Sequence, residues 1–431
     1  MSTAFTLFLV SIIFACGSAF HDGTAAQSLI ATLAALALAC VGMFARAADV
    51  GVAARSARGI KLAAAIPAIW MAVQLLPTPI GAHSIWSYAN DALGRQSWGH
   101  VSVDLGMTAL ALVFYLANVS LIVVAIFVAR DRRGAALILI VLTTIVPILT
   151  LALLLSRSQI LPVFDAGDFS DVLPAIGAFG ILLSLTTATR TFEERASRAD
   201  KRVETAPGDH LALLASGIAL VVGALAIAVS GTVNSYLIAV FGVVTFGSIQ
   251  VIRRTALPSW AALTLTATML LAAAMIVLWR YDPLRTVSPI LQFAAASPAD
   301  AVSLTQRLLS DTGWLGTGAG TYSTLLPLYQ ALGSPVTKAP STASAFAIEL
   351  GWPIFLVIIA TAAWLIVLLY RGALARGRDS FYPAAAASCA VIILGEAFCD
   401  TSLLNSCVAV IGDAVIGVGL AQRVSVRSGT T

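Results

Sequence analysis

A chain of 431 residues in which 59% are hydrophobic and only 11% charged, with a mean hydropathy of +0.93, cannot cover itself with a water-facing surface. Soluble domains carry about 25% charged residues, so a soluble fold is excluded and lipid must cover much of the molecule. Basic residues barely outnumber acidic ones, 25 against 21, so their positions say more than their sum, and no nucleic-acid partner is expected.

Apolar runs of membrane-crossing length recur from end to end. They are 4–20, 25–45, 60–77, 104–129, 134–155, 171–189, 210–230, 234–252, 258–279, 344–370, 381–398 and 402–421. Backbone polar groups cannot go unpaired in lipid, so each run must be helical. Pro67, Pro147, Pro174 and Pro353 fall inside runs and read as tolerated kinks. No Lys or Arg precedes the first run as a signal peptide requires, so it reads as a retained helix. The fold class expected is all-α, a polytopic membrane protein of about twelve transmembrane helices.

Orientation follows from Lys and Arg in the connections. Alternate connections put 19 basic residues on one side and six on the other. The first set runs from Arg46, Arg55, Arg58 and Lys61 through Arg130, Arg132 and Arg133 to Arg423 and Arg427. The second is Arg95, Arg157, Arg280, Arg285, Arg307 and Lys338. Both termini are therefore expected in the cytoplasm. Three parts follow: helices 1–9 over 1–279, a large outer loop over 280–343, and helices 10–12 with a tail over 344–431.

Two outer loops are long enough to carry function. The stretch 78–103 is aromatic and polar, with His83, Trp86, Tyr88, Trp98 and His100. The stretch 280–343 holds Ser303 to Leu309, which reads as a short amphipathic helix, and then Gly316, Gly318 and Gly320 at alternate positions before Thr321 and Tyr322. Such glycines allow positive φ and close approach of a ligand, and successive N–H groups there can form an anion nest. Five cysteines (Cys16, Cys40, Cys389, Cys399 and Cys407) show no CxxC and no zinc spacing, and read as small apolar residues. Asp165, Asp168 and Asp171 recur every three residues, as a cation site or as a helix cap with solvated neighbours. Asp104 suits the N-terminus of the fourth helix. Glu396 and Asp413 lie within the last two runs, where a carboxylate is costly and a functional candidate by default.

An Arg on a short helix, then Gly-x-Gly-x-Gly-Thr-Tyr, then a polar stretch closing on Glu349-Leu350-Gly351 resembles the O-antigen ligase and polymerase family. Trp70 to Pro77, ending Gln-Leu-Leu-Pro, resembles that family's early helix. The resemblance implies a GT-C-like membrane glycosyltransferase that needs neither metal nor cofactor. It would work on the periplasmic side of a bacterial inner membrane, in lipopolysaccharide or exopolysaccharide synthesis. Its donor would be an undecaprenyl-pyrophosphate-linked glycan, its acceptor another glycan or lipid A core, with membrane lipid around it. It implies Arg307 and Glu349 as catalytic residues, and substrate contacts from Arg280, Arg285, Lys338, Gly316, Gly318, Gly320 and Tyr322. Arg suits a pyrophosphate because its planar fork grips phosphate oxygens in pairs, although an Arg near a helix end also snorkels to headgroups. The sequence departs from the family at Pro340, where a histidine usually stands. Glu349, His83 and His100 are the substitute bases to consider. A twelve-helix secondary transporter and a non-catalytic accessory subunit of polysaccharide export are the alternatives.

Overall fold

The computed structural model describes residues 2–45, 50–51, 60–78, 81–94, 98–158, 171–200, 208–255, 287–294, 297–330, 336–375 and 379–423, with scattered positions between 264 and 279. Fifteen α-helices run through these residues. The first nine are α1 (Ser2–Ser18), α2 (Thr24–Phe44), α3 (Ile60–Leu75), α4 (Ile85–Leu93), α5 (Leu105–Val128), α6 (Arg132–Arg157), α7 (Val172–Asp200), α8 (Gly208–Ser230) and α9 (Val233–Arg254). The remainder are α10 (Ala299–Asp311), α11 (Tyr322–Tyr329), α12 (Thr342–Leu350), α13 (Trp352–Ala375), α14 (Phe381–Cys399) and α15 (Ser406–Arg423).

Among the described residues, nine helices (α2, α5 to α9 and α13 to α15) are long and apolar enough to cross a membrane, and the protein is a polytopic helical membrane protein. The first and third runs form the shorter apolar helices α1 and α3. The run 258–279 falls largely outside the described residues. Helices α7, α14 and α15 are mostly buried at the centre, whereas α13 and α2 turn most of their surface outward. Their exposed faces carry Leu29, Leu36, Leu356 and Trp364, the side chains lipid would cover. Inside the bundle Leu121, Ile138, Phe179 and Ile411 are fully buried in one core. Small residues set the closest contacts: Gly177 of α7 lies against Gly223 of α8, where dispersion between near backbones replaces the hydrophobic drive that lipid removes.

One predicted run is two helices. Residues 344–370 break at Gly351, where α12 ends and α13 begins. Gly351 has φ +80, and a Cβ there would overlap the Trp314 carbonyl. Pro353 then occupies the first turn of α13, where its missing N–H costs nothing. Glu349 therefore sits on a short helix outside the membrane-spanning segments.

The described residues of the predicted outer loop are folded and packed. The amphipathic helix expected at Ser303–Leu309 is α10, which buries Ala301, Leu304, Thr305 and Leu308. Leu308, Leu326, Ile348 and Phe355 join α10, α11, α12 and the start of α13 in a second core. Ser341 caps α12, its Oγ accepting from the Ser344 N–H while Ser344 Oγ accepts from the Ser341 N–H. Asp400, just past α14, anchors the same end, its carbonyl accepting from Thr342 N at 2.8 Å and Thr342 Oγ1 at 3.0 Å.

Candidate functional site

Two stretches more than 200 residues apart in sequence meet through one side chain. Gln74, fully buried at the end of α3, donates from Nε2 to the Glu349 carbonyl at 2.9 Å and to the Leu315 carbonyl at 3.4 Å. Its Oε1 accepts from Ala319 N at 3.2 Å. One turn earlier, Trp70 Nε1 donates to the Leu350 carbonyl at 2.9 Å. An amide with both a donor and an acceptor end suits this joint, because it meets a backbone N–H of the loop and backbone carbonyls of the loop and α12 at once. Gln74→Leu keeps the bulk but orphans the Ala319 N–H, which costs about 1–3 kcal/mol. The expected result is a lower unfolding midpoint in detergent, and an unchanged midpoint would refute the joint.

The glycine loop fits between neighbours that tolerate no side chain. Gly316, Gly318 and Gly320 have φ of +79, +107 and +75. A Cβ on Gly316 would overlap the Glu349 carbonyl. Two alternate N–H groups of the loop do hold a carboxylate, but one that belongs to the protein. Tyr322 N donates to Glu349 Oε1 at 3.1 Å, and the Gly320 N–H also reaches this carboxylate. Thr317 N donates to the Ile348 carbonyl and Gly318 N to the Glu349 carbonyl, both at 3.0 Å. With Ala319 N on Gln74, the loop is left with no donor array for an external phosphate. That corrects the expected role of these glycines: they allow close packing, and of the three only Gly320 lines the cavity described next.

Beside the loop lies a cavity of about 620 Å³. Its apolar lining includes Met107, Leu110, Ala111 and Phe114 of α5 and Met71 of α3. Its ionisable lining residues are Glu349, Lys338, Tyr322, Tyr115, Asp171, His21 and Asp22. Burial pushes the Glu349 carboxyl up to about 7, with the Gly320 and Tyr322 N–H groups pulling the other way. A carboxyl that titrates near neutrality can both accept and release a proton at working pH. Burial likewise raises the Tyr322 phenol, whose oxygen is 2.7 Å from Thr305 Oγ1.

The sequence-predicted residues divide. Glu349, Lys338, Gly320 and Tyr322 come together at the cavity. Arg307 is exposed on α10 and is not among the cavity-lining residues. Arg280, Arg285, Asp165 and Asp168 lie outside the described residues. His83 and His100 do not line the cavity. His83 Nδ1 accepts from Ile85 N at 3.2 Å, His100 Nδ1 is 3.0 Å from the Leu75 carbonyl, and the His100 ring leans on Trp86 at 5.3 Å. Asp104 caps α5 as expected, accepting from Met107 N at 3.1 Å. Glu396 is fully buried in α14, and neither it nor Asp413 of α15 lines the cavity.

His21 and Asp22, between α1 and α2, were not singled out in the sequence. Asp22 accepts from Ser406 N at 3.1 Å and Ser406 Oγ at 3.0 Å, which ties the connection to the start of α15. The available signal was two polar residues in a tight link between apolar helices, which are otherwise easily read as a solvated turn. No protein-family model matches the chain, and no curated protein is significantly similar to it.

Proposed function

We propose that the protein is a membrane glycosyltransferase, of about twelve helices and GT-C-like, that polymerises or ligates undecaprenyl-pyrophosphate-linked glycans on the outer face of the inner membrane. One observation carries this reading. Of the residues that resemble the ligase and polymerase family, Trp70–Pro77, Gly316–Tyr322 and Ala339–Gly351 are hydrogen-bonded into one unit through Gln74 and Trp70, and that unit contributes to the lining of the cavity holding Glu349, whereas Arg307 stands apart from it. The cavity lining also has the two characters that a lipid-linked sugar needs, apolar side chains of the membrane helices and a set of polar and charged side chains.

In this reading Glu349 takes the proton from the acceptor hydroxyl as its oxygen attacks the anomeric carbon. The bond from that carbon to the pyrophosphate oxygen breaks, and its electron pair leaves with the phosphate. Lys338 supplies fixed positive charge for the departing group. The twelve-helix transporter alternative gives no account of the Gln74 joint.

The test is a strain that lacks this chain, complemented with variants, and its surface glycan profile. Loss of polymer or of ligated glycan is expected in the deletion, and an unchanged profile would reject the reading. Geometry shifts weight from Arg307 to Lys338. Lys338→Ala is expected to reduce transfer on the order of a hundredfold, with Arg307→Ala changing it less. The reverse order would move the reacting site to the exposed face of α10.

A further inference from the structure

A second cleft, of about 500 Å³, lies at the other ends of the helices that build the cavity. The cavity takes the C-terminal end of α1 and the N-terminal parts of α2 and α5, whereas this cleft takes the start of α1 and the far ends of α2 and α5, closed by the first turns of α6. Its walls are Phe5, Val41, Phe44, Phe127, Val128 and Leu137. Phe44 and Leu137 are 60% and 48% exposed, so the cleft opens on the face that lipid covers.

The charged rim is what makes this more than an apolar groove. Arg132 is committed, its guanidinium holding Asp379 in two hydrogen bonds of 2.6 and 2.5 Å. On either side of it, Asp131 and Arg133 line the cleft and make no side-chain hydrogen bond or ion pair among the described residues. Asp131 occupies the N-cap of α6 without capping it through its side chain, which leaves first-turn N–H groups beside Arg133 without a partner. One cationic and one anionic group therefore lie on the rim of the same apolar slot. An anionic lipid would be attracted by Arg133 and repelled by Asp131. A zwitterion satisfies both, with phosphate oxygens on Arg133 and the α6 N-terminus and an amine on Asp131. The carboxylate favours a primary ammonium, which donates N–H bonds, over a quaternary one, which cannot.

We propose that this cleft binds a phospholipid with a primary-amine headgroup, phosphatidylethanolamine, its acyl chain lying between α2, α5 and α6. The site is independent of the glycan reading and stands whether or not that reading holds.

The full chain, purified in detergent, would be exchanged against mixed micelles of phosphatidylethanolamine, phosphatidylcholine and phosphatidylglycerol in equal amounts, with retained lipid read by native mass spectrometry. The ethanolamine lipid is expected to be retained about tenfold over the other two, a difference of about 1.4 kcal/mol. Asp131→Asn should bring it down to the choline lipid's level, and Arg133→Gln should lower all three. Leu137→Trp, at an outward position, fills the slot and should abolish retention while leaving the unfolding midpoint unchanged, so it decides the matter even if a rim variant fails to fold. Equal retention of the three lipids, a preference for phosphatidylglycerol, an ethanolamine-lipid preference that survives Asp131→Asn, or retention that survives Leu137→Trp would each overturn the proposal.

Discussion

Glu349→Gln is expected to abolish glycan transfer and, at pH 8, to make the protein more stable than its parent. The two effects share one cause. The carboxyl titrates at about 7 in the fold against 4.5 in the unfolded chain, because burial penalises the charged form. Between those values the folded state holds a proton that the unfolded state has lost, so stability falls as pH rises from 4.5 and reaches its floor above 7. The gap corresponds to about 3 kcal/mol once the group is ionised in both states. Gln removes the titration but keeps an oxygen that can accept from the Tyr322 and Gly320 N–H groups, so the loop stays in place. The midpoint of thermal unfolding should match the parent near pH 4.5 and exceed it by several degrees at pH 8. Transfer should fall by about 10²–10⁴-fold, the usual worth of a positioned base. A variant that transfers at the parental rate would remove Glu349 from the chemistry. One whose midpoint follows the parent at every pH would remove the buried charge.

Gly318→Val should leave little folded protein. At φ +107 a β-branched residue is strained, which costs about 1–3 kcal/mol. Its Cβ would overlap the side chains of Ser102 and Thr108, which are themselves only 2.7 Å apart at their oxygens. Overpacking adds about 1–3 kcal/mol, and Thr108 Oγ1 also holds the loop through the Ala319 carbonyl at 3.0 Å. Moving that oxygen loosens the segment that delivers the Gly320 and Tyr322 N–H groups to Glu349. Gly313, in the same loop, has ordinary φ and open space where a Cβ would be. Gly313→Ala should therefore behave as the parent in abundance and in thermal midpoint. Equal abundance of the two variants in membranes would show that the loop is not packed as described.

Much of the site was legible for reasons that can be stated residue by residue. Glu349 stood out through the resemblance, as the glutamate that closes the motif at Glu349-Leu350-Gly351. The three alternate glycines stood out because their spacing implies unusual backbone. Their spacing suggests close approach of a ligand and a nest for its anion, whereas the N–H groups are taken by Glu349, Gln74 and backbone carbonyls. No local pattern distinguishes those outcomes, since both need the same backbone and differ only in which anion arrives. Arg307 was drawn by the resemblance, yet α10 turns it outward, because Leu304 and Leu308 on the opposite stripe claim the core. His21 carries no local signal, because a histidine between two helices looks alike whether it faces solvent or a cavity.

The sequence alone determined the solvent of this protein and the class of its fold. Too few charges to face water, and apolar runs of bilayer length, leave helices as the only way to pair the backbone. Tertiary structure decided what meets what. The break at Gly351, the union of Trp70 and Gln74 with the end of α12, and the enclosure of Glu349 in a cavity with His21 and Lys338 all depend on contacts between distant segments. Composition and periodicity act within one helix, so they fix each segment's environment but not its neighbours. Those are selected by shape and by the few polar groups that must find partners away from water.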